Sequence, residues 1–341
     1  MKRGVYFLFF LSLVPLAGHA FAQQPMALVQ SIDMPEVPSG PYADHMAIDL
    51  RNQRLFTTPQ ANKSVDVLDL KAGKVLHTIT GFGNPHAIFY DEKRNQLFVT
   101  DGGVGAVKVF DATTYKEMKS IKVELDADGI GYDPRSGYLY VSNGGEAAGK
   151  KYSLISIIDI AKAEKIGDIQ IDADGLEAMA IDSDQGRLYI NLPDQSAIAV
   201  VDLAKRHVVA TWPLTKGKNN MAFALDATRH RLYVGCRDTD VRGSIVIVDT
   251  DTGRELDRLP IGGWVDSMFY DGQRGLIYAS CGVGEVYTYQ RVSGDTFKEV
   301  GLTDTAVMAK TALYVPELHR FFVAVPHLGD TLAKILVFKV D

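Results

Sequence analysis

The sequence predicts an all-β fold, a seven-bladed β-propeller, because one short motif recurs seven times along its 341 residues. Successive copies lie 42, 42, 49, 44, 45 and 45 residues apart. A period of about 40 to 50 residues that holds four short strands is typical of propeller blades. The central residues of the seven copies are Leu55, Leu97, Leu139, Leu188, Leu232, Ile277 and Phe322.

Each repeat predicts a four-stranded antiparallel blade, as the fourth copy illustrates. Its segments Met179–Ile181, Leu188–Ile190, Ile198–Asp202 and His207–Ala210 are rich in aliphatic, β-branched and aromatic residues. Such residues, alternating with a period of two, favour strands over helices. We denote the four strands of a blade a, b, c and d in chain order.

Two sets of aspartates recur with the motif, and we interpret both as structural. One aspartate opens the turn between strands a and b, where its carboxylate can accept backbone N–H groups, and another ends strand c. The first set is Asp49, Asp91, Asp133, Asp182, Asp226 and Asp271. The second set is Asp69, Asp111, Asp159, Asp202 and Asp249.

The two ends of the repeat array complement each other. The seventh repeat stops after its strand c, Ile335–Val340, and therefore lacks a strand d. Near the N-terminus, Ala27–Ile32 forms a strand-like segment that belongs to no repeat. Pairing of this segment into the last blade would close the ring and cover an otherwise exposed sheet edge. We therefore predict a ring closed by the N-terminal strand.

The first 22 residues have the pattern of a secretory signal peptide. Lys2 and Arg3 precede the apolar run Val5–Leu16, and an Ala-x-Ala sequence ends at Ala22. This order is typical of a cleaved export signal, and the run is short for a membrane span. We expect residues 1–22 to be removed and the protein to be periplasmic or secreted, without stable membrane insertion. An uncleaved membrane anchor is the alternative.

Cleavage would leave residues 23–341 as a single propeller domain with an acidic balance. Loss of Lys2 and Arg3 changes the net charge from −6 to −8. The chain also contains no run of five or more basic residues. Nucleic acid is therefore a disfavoured partner, because a phosphate backbone would be repelled on average.

The chain has two cysteines, which occupy equivalent positions in neighbouring repeats. Cys236 lies four residues after Leu232, and Cys281 lies four residues after Ile277. Strands b of adjacent blades are about 10 Å apart, beyond the usual Cα separation of about 7 Å for a disulfide. Export nevertheless favours oxidation. A disulfide and a pair of buried free thiols are both open.

Several segments resemble the YVTN β-propeller repeat. The second repeat carries Gly83–Ile88, Gln96–Thr100 and Val107–Asp111, and Tyr140–Asn143 in the third reads Tyr-Val-Ser-Asn. The resemblance extends from about Met26 to the C-terminus. It implies a seven-bladed propeller of an exported bacterial or archaeal protein. It says little about activity, because lactonase-like and lyase-like propellers share this architecture.

The repeats differ from one another at the start of strand a, near the channel mouth, and this position supplies the candidate site residues. Reading five residues before each turn position yields Asp44, His86, Asp128, Glu177, Met221, Asp266 and Thr311. His45 and the Asn219–Asn220 pair lie beside these positions. The predicted ligand-binding residues are Asp44, His45, His86, Asp128, Glu177, Asn219, Asn220 and Asp266.

Carboxylates that converge in a narrow channel repel each other, so the pKa of some should rise or a cation should lie among them. Oxygen ligands suit Ca²⁺ or Mg²⁺, whereas a histidine favours Zn²⁺. A solvated acidic funnel without a specific ligand and a catalytic site are the alternatives. The predicted metal ligands are Asp44, His86, Asp128, Glu177 and Asp266.

Three b–c loops are longer than the others and are predicted on the same face as the mouth. They comprise residues 144–151, 238–243 and 327–334. The first is glycine-rich, so it could act as a lid that brings Lys150 and Lys151 toward the acidic mouth. A tolerated surface insertion is the alternative.

Two functional hypotheses follow. The first is a binding or scaffold protein that presents its loop face to a small molecule, peptide or protein. It is favoured because the sequence contains no Gly-x-Ser-x-Gly, His-Glu-x-x-His, Cys-x-x-Cys or phosphate-loop motif. The second is a metal-assisted, lactonase-like hydrolase or a lyase with His86 as acid and base at the acidic mouth.

Overall fold

Seven four-stranded antiparallel sheets form a ring in the computed structural model, which describes residues 26–34, 37–40 and 44–340. The all-β, seven-bladed architecture predicted from the repeat is thereby confirmed. In blades 1 to 6 the strands pair in chain order, and the first strand of each blade contacts the first strands of its neighbours. The predicted signal peptide, residues 1–22, lies outside the described residues.

The strands of the seven blades occupy equivalent positions. Strands a are β2 (Met46–Asp49), β6 (Pro85–Asp91), β10 (Ile130–Asp133), β14 (Met179–Asp182), β18 (Asn220–Asp226), β22 (Val265–Asp271) and β26 (Thr311–Val315). Strands b are β3 (Arg54–Thr57), β7 (Gln96–Asp101), β11 (Tyr138–Gly144), β15 (Arg187–Leu192), β19 (Arg231–Cys236), β23 (Leu276–Cys281) and β27 (Arg320–Val325). Strands c are β4 (Val65–Asp69), β8 (Ala106–Asp111), β12 (Ser153–Asp159), β16 (Ala197–Asp202), β20 (Arg242–Asp249), β24 (Glu285–Ser293) and β28 (Lys334–Val340).

The outer strands d complete the blades, and short 3-10 helices occupy some of the connections. Strands d are β5 (Lys74–Ile79), β9 (Glu117–Lys122), β13 (Glu164–Ile171), β17 (His207–Pro213), β21 (Glu255–Gly262), β25 (Thr296–Asp304) and, in blade 7, β1 (Met26–Asp33). Among the described residues the 3-10 helices are Gln60–Asn62, Glu146–Ala148, Pro193–Gln195, Ala227–Arg229 and Pro316–Leu318.

The N-terminal strand closes the ring as predicted. β1 pairs antiparallel with β28, from Met26 opposite Val340 to Asp33 opposite Lys334. The side chain of Ile32 is fully buried in the cluster that joins blades 7 and 1. The first strands β2 and β26 also contact each other, so the last blade abuts the first. The strand d that the last repeat lacks is therefore supplied from the beginning of the sequence.

The hydrophobic core consists of clusters between neighbouring blades, and strand b contributes to two of them. Consecutive side chains of a strand point to opposite faces. In blade 2, Leu97 packs toward blade 1 beside Phe56, whereas Phe98 packs toward blade 3 beside Leu139. The same division holds in the other blades, where two consecutive apolar residues of strand b face different neighbours. The recurring motif is thus the element that joins the blades.

The repeated aspartates act in turns, as the sequence indicates. The carboxylate of Asp182 accepts the backbone N–H groups of Asp184 and Gln185 at 3.1 and 3.0 Å. At the end of β4, the carboxylate of Asp69 accepts the N–H groups of Lys71 and Ala72 at 2.9 and 2.8 Å. Both geometries are Asx-turns that fix a tight connection between antiparallel strands.

The closure of the ring by β1 can be tested with one substitution on this strand and a control substitution on the same strand. Ile32→Asp would place a charge at a position that is 0% exposed. We expect it to lower the free energy of unfolding by about 3 to 5 kcal/mol, since the charge has no partner. Leu28→Asp, at a position that is 57% exposed, should change it by less than about 0.5 kcal/mol. Urea denaturation measures both, and equal losses would contradict the observed closure.

Candidate functional site

A cavity of about 340 Å³ lies at the channel mouth, on the face of the d–a connections. Apart from residues named below, its wall includes Gly129, Ile130, Ala178, Met179 and Met221. Six of the eight predicted ligand-binding residues line the cavity: Asp44, His45, His86, Asp128, Glu177 and Asp266.

The convergence follows from the equivalence of the blades. Asp44 lies just before β2 and Asp128 two residues before β10. Glu177 lies two residues before β14, while His86 and Asp266 are the second residues of β6 and β22. Because the first strands of successive blades contact each other around the channel, residues at this position of different blades approach one another. A position shared by the repeats therefore becomes a ring of side chains.

Asp44 and His86 form an ion pair at one side of the cavity. The Nδ1 atom of His86 donates to Oδ2 of Asp44 at 2.9 Å. The side-chain amide of Gln60 donates to the same carboxylate oxygen at 2.8 Å. The side-chain amide of Asn84 lies beside Nε2 of His86, and it can present its oxygen to that nitrogen when the ring is protonated. The imidazole is thereby held in one orientation.

The environment of this pair favours its charged form. Burial lowers the pKa of His86, but its hydrogen bond to Asp44 and the charges of Asp128 and Asp44 outweigh burial and raise the pKa to about 9. Burial raises the pKa of Asp44, but the charge of His45 and the hydrogen bond from His86 lower it to about 2. Between these values the site contains an imidazolium bound to a carboxylate.

The carboxyl group of Asp128 has fewer polar contacts than that of Asp44. Its Oδ1 atom lies 3.4 Å from Nδ1 of His86, and among the described residues its carboxyl group has no side-chain hydrogen bond. Burial and the charge of Asp44 raise the pKa of Asp128 to about 6, although His86 acts in the opposite direction. A carboxyl group with this pKa changes its protonation state near neutral pH.

Glu177 has no partner for its side chain within the part of the chain that the structure describes. Its backbone N–H donates to the carbonyl of Asn191 at 3.2 Å, which fixes the main chain, while the carboxyl group lines the cavity. Burial, together with the charges of Asp128 and Asp266, raises the pKa of Glu177 well above its usual range. The carboxyl group of Glu177 is thus an acceptor, or at lower pH an acid, that no described residue binds.

The mouth is not uniformly acidic, which corrects the expectation from the sequence. Arg237 and Lys310 line the cavity and both bind Asp266, the lysine at 2.8 Å. The guanidinium also lies 5.2 Å from the ring centre of Trp264, within the range of a cation–π contact. The cations were missed because they lie off the chosen register: Arg237 directly follows β19, and Lys310 directly precedes β26. Reading the sequence neighbours of each candidate position would have found Lys310, which precedes Thr311, but not Arg237.

The asparagine pair does not line the cavity. Asn220 is fully buried, and its side-chain amide donates to Oδ1 of Asn191 and, at 2.8 Å, to the carbonyl of Ala197. The backbone carbonyl of Asn219 accepts the N–H of Arg237 at 3.0 Å. The structure thus gives both residues contacts that connect blades 4 and 5 or support Arg237. Their predicted ligand binding has no counterpart in this geometry.

Three of the five predicted metal ligands come together. Atoms of Asp44, His86 and Asp128 lie within 4.8 Å of one another, and this triad could supply two oxygens and a nitrogen to an ion. Glu177 and Asp266 are not part of the triad. The Nδ1 atom of His86 already donates to Asp44, so a metal ion would have to displace that proton.

The long loop of blade 3 is anchored away from the mouth. The N–H of Gly145 donates to the carbonyl of Tyr152 at 3.0 Å, and that of Glu146 donates to Asp174 at 2.8 Å. Lys150 binds Glu124 at 2.8 Å and is not among the residues that line the cavity. The lid hypothesis, which required Lys150 to turn toward the mouth, therefore has no support in this arrangement.

Both cysteines are free and buried, each at the end of a strand b. Cys236 lies in the cluster between blades 4 and 5, whereas Cys281 lies in the cluster between blades 5 and 6. Burial raises the pKa of both thiols, so neither is a ready nucleophile. Of the alternatives left open by the sequence, the structure has two packed thiols.

No family model and no curated protein matches the chain. Among solved structures, the fold is similar to a chain of Kuenenia stuttgartiensis hydrazine synthase, with 19% identity, a TM-score of 0.75 and coverage of 88% of this chain and 97% of that one. A chain of the mitotic checkpoint complex is 14% identical, with a TM-score of 0.72 and 99% coverage of both chains. The RRP9 WD40 repeats are 10% identical, with a TM-score of 0.75 and coverage of 93% and 100%. At these identities the similarity supports the propeller fold alone.

None of the helices in the described part of the chain is long and apolar enough to cross a membrane.

The ion pair predicts an unusual histidine titration. In NMR spectra recorded from pH 5 to 10, one imidazole should titrate near pH 9, and His86→Gln should remove that signal. Asp44→Asn should move its midpoint downward, because the hydrogen bond and charge that stabilise the imidazolium are lost. His77, whose ring stacks on Tyr115, provides a reference outside the mouth. Titration of every histidine between pH 6 and 7 would contradict the assignment.

Proposed function

We propose that the protein binds a small polar ligand in the cavity at the channel mouth. The unpaired carboxyl group of Glu177 is the observation that carries this proposal. This carboxyl group is half-buried, so part of its solvation is lost, and a ligand that donates to it would recover part of that free energy. The fold is compatible with a binding module, since propellers commonly bind ligands at the channel mouth.

The composition of the cavity wall supports a small molecule. Ile130, Met179, Met221 and Trp264 supply apolar surface, while charged groups lie around them. Binding sites for small molecules typically combine an apolar wall with a few polar groups that fix orientation. The volume of about 340 Å³ falls in the usual range for such sites. A peptide or protein that inserts one side chain into the cavity would use the same groups.

The proposal includes export to the periplasm or the cell exterior. Its support is the signal-like pattern of residues 1–22 and the resemblance of the repeats to the YVTN family, whose members are commonly exported. A mature chain that begins at Gln23 is the expected N-terminus. Retention of Met1 on the protein in its final compartment would contradict cleavage.

The chain has two tryptophans, and this permits a specific test of the site. Trp264 lines the cavity, whereas Trp212 lies on the outer strand β17 against Tyr189. In Trp212→Phe, Trp264 becomes the sole tryptophan. We expect at least one compound of a metabolite library to change its emission saturably, because the bound ligand alters the environment of the indole.

Trp264→Phe is the matched control, since it leaves Trp212 as the sole reporter. The same compound should then leave the emission unchanged while its heat of binding remains measurable by calorimetry. A response of Trp212 but not of Trp264 would place the binding site elsewhere. The absence of any response from Trp264 across the library would contradict the proposed function.

A hydrolase or lyase is the second candidate, and the pKa values near the mouth favour it over other enzyme classes. Asp128, with its pKa raised to about 6, is suited to act as a general base near neutral pH. Glu177, with a pKa raised well above the ordinary value, is suited to act as the acid. A metal-assisted, lactonase-like reaction would instead use Asp44, His86 and Asp128 as ligands, and Asp128 would then not act as the base.

Hydrolysis of a panel of sugar lactones separates the two candidates. If the protein is an enzyme, the double variant Asp128→Asn with Glu177→Gln should lower kcat at least about 100-fold, because both proton-transfer groups are lost. The exposed pair Asp172→Asn with Asp174→Asn is the control. Turnover that survives the first change intact would exclude a mechanism centred on the mouth.

A further inference from the structure

The cavity contains more carboxyl groups than its cationic side chains bind directly, and this excess indicates the kind of ligand. Asp44 is bound by His86, and Asp266 is bound by both Arg237 and Lys310. The remaining carboxyl groups are those of Asp128 and Glu177. Within the described residues, the first has one long contact with His86 at 3.4 Å and the second has no polar contact. The cavity therefore contains two carboxyl groups whose hydrogen-bonding capacity is largely unused by the described residues.

We propose that the ligand is a small organic cation, whose ammonium or guanidinium group binds to the carboxylates of Asp128 and Glu177. This inference rests on the proposed function and specifies the chemical class of the ligand. A nitrogen cation offers several N–H donors, and its positive charge stabilises the ionised form of both carboxyl groups. The carbon skeleton of the ligand packs against the apolar wall formed by Ile130, Met179 and Met221.

The size and the lining of the cavity favour an organic cation over a bare metal ion. A volume of about 340 Å³ is roughly ten times the share of about 30 Å³ that one water molecule occupies. An ion with its coordinating waters would leave the apolar wall exposed to solvent. The nitrogen that the metal triad requires, Nδ1 of His86, already has a hydrogen-bonded carboxylate partner in Asp44.

Calorimetry with ligands of matched shape and different charge tests the inference. The probes are n-hexylamine and agmatine as cations, 1-hexanol as the neutral analogue and hexanoate as the anion. At pH 7.5 we expect saturable binding of at least one of the two cations and at least 10-fold weaker binding of hexanol and hexanoate.

Variants locate the cation. Glu177→Gln and Asp128→Asn should each weaken cation binding at least 10-fold, since each removes one of the proposed partners. Asp174→Asn is the matched control, because its side chain is exposed on the same d–a connection as Glu177. It should leave the affinity within 2-fold. Far-UV circular dichroism and the thermal midpoint of each variant establish that the propeller is intact, and two independent variants guard against the misfolding of one.

Each other outcome has a definite meaning. Equal binding of hexanol or hexanoate, detected also by Trp264, would overturn the cation but leave the proposed function intact. Binding of Zn²⁺ or Ca²⁺ alone, lost in His86→Gln and unaffected by Glu177→Gln, would replace the organic cation by a metal ion. Absence of binding by both amines, while another library compound still changes the Trp264 emission, would also overturn the inference. If no compound changes the emission of Trp264, the proposed function itself is rejected.

Discussion

The packing of two consecutive side chains of strand b against opposite neighbours is the constraint on which the ring depends. Phe98 faces one blade and Leu97 the other, and each blade contributes to two of the interblade clusters in this way. A single four-stranded sheet would leave both of its apolar faces in water, so no blade is stable alone. Closing the ring buries the face that each end of a linear array would expose. In this chain, the closing contact depends on β1, whose Ile32 joins the cluster between blades 7 and 1.

The candidate site is formed by equivalent positions of the blades that carry different residues. The start of strand a is placed at the mouth in each blade, but the residue found there differs from blade to blade. Burying the carboxyl groups of Asp128 and Glu177 opposes folding, as their raised pKa values indicate. The extensive apolar contacts between blades offset this cost. Residues that destabilise the free protein at one location, in an otherwise satisfied framework, are typical of binding and catalytic sites.

The fold was predictable because its determinants are local and periodic, whereas part of the site was not. The spacing of residues such as Leu188 and the orphan strand before Met34 were sufficient to derive seven blades and their closure. The register of strand a also brought Asp44 and Glu177 to the mouth. Asn220 does not line the cavity, because neighbouring residues of a strand point to opposite sides and Met221 occupies the channel side. Arg237 enters from the end of a strand b, a position that the register of strand a does not sample.

The balance of charge at the mouth also could not be read from the sequence. The number of carboxylates indicated an acidic funnel, but the pairing of Asp266 with Lys310 and of Asp44 with His86 depends on side-chain positions in different blades. Of the four carboxyl groups that line the cavity, these pairings leave those of Asp128 and Glu177 for a ligand. The proposed site is therefore a cation site formed by two carboxyl groups and not a general acidic funnel.

A crystal structure of the protein soaked with the amine it binds most tightly tests this account most directly. The account predicts that the ligand nitrogen lies within about 3.2 Å of carboxylate oxygens of both Asp128 and Glu177, with the carbon chain against Met179. An amine nitrogen that points to solvent, or a Glu177 carboxyl group bound to a donor of the protein while the amine lies elsewhere, would contradict it.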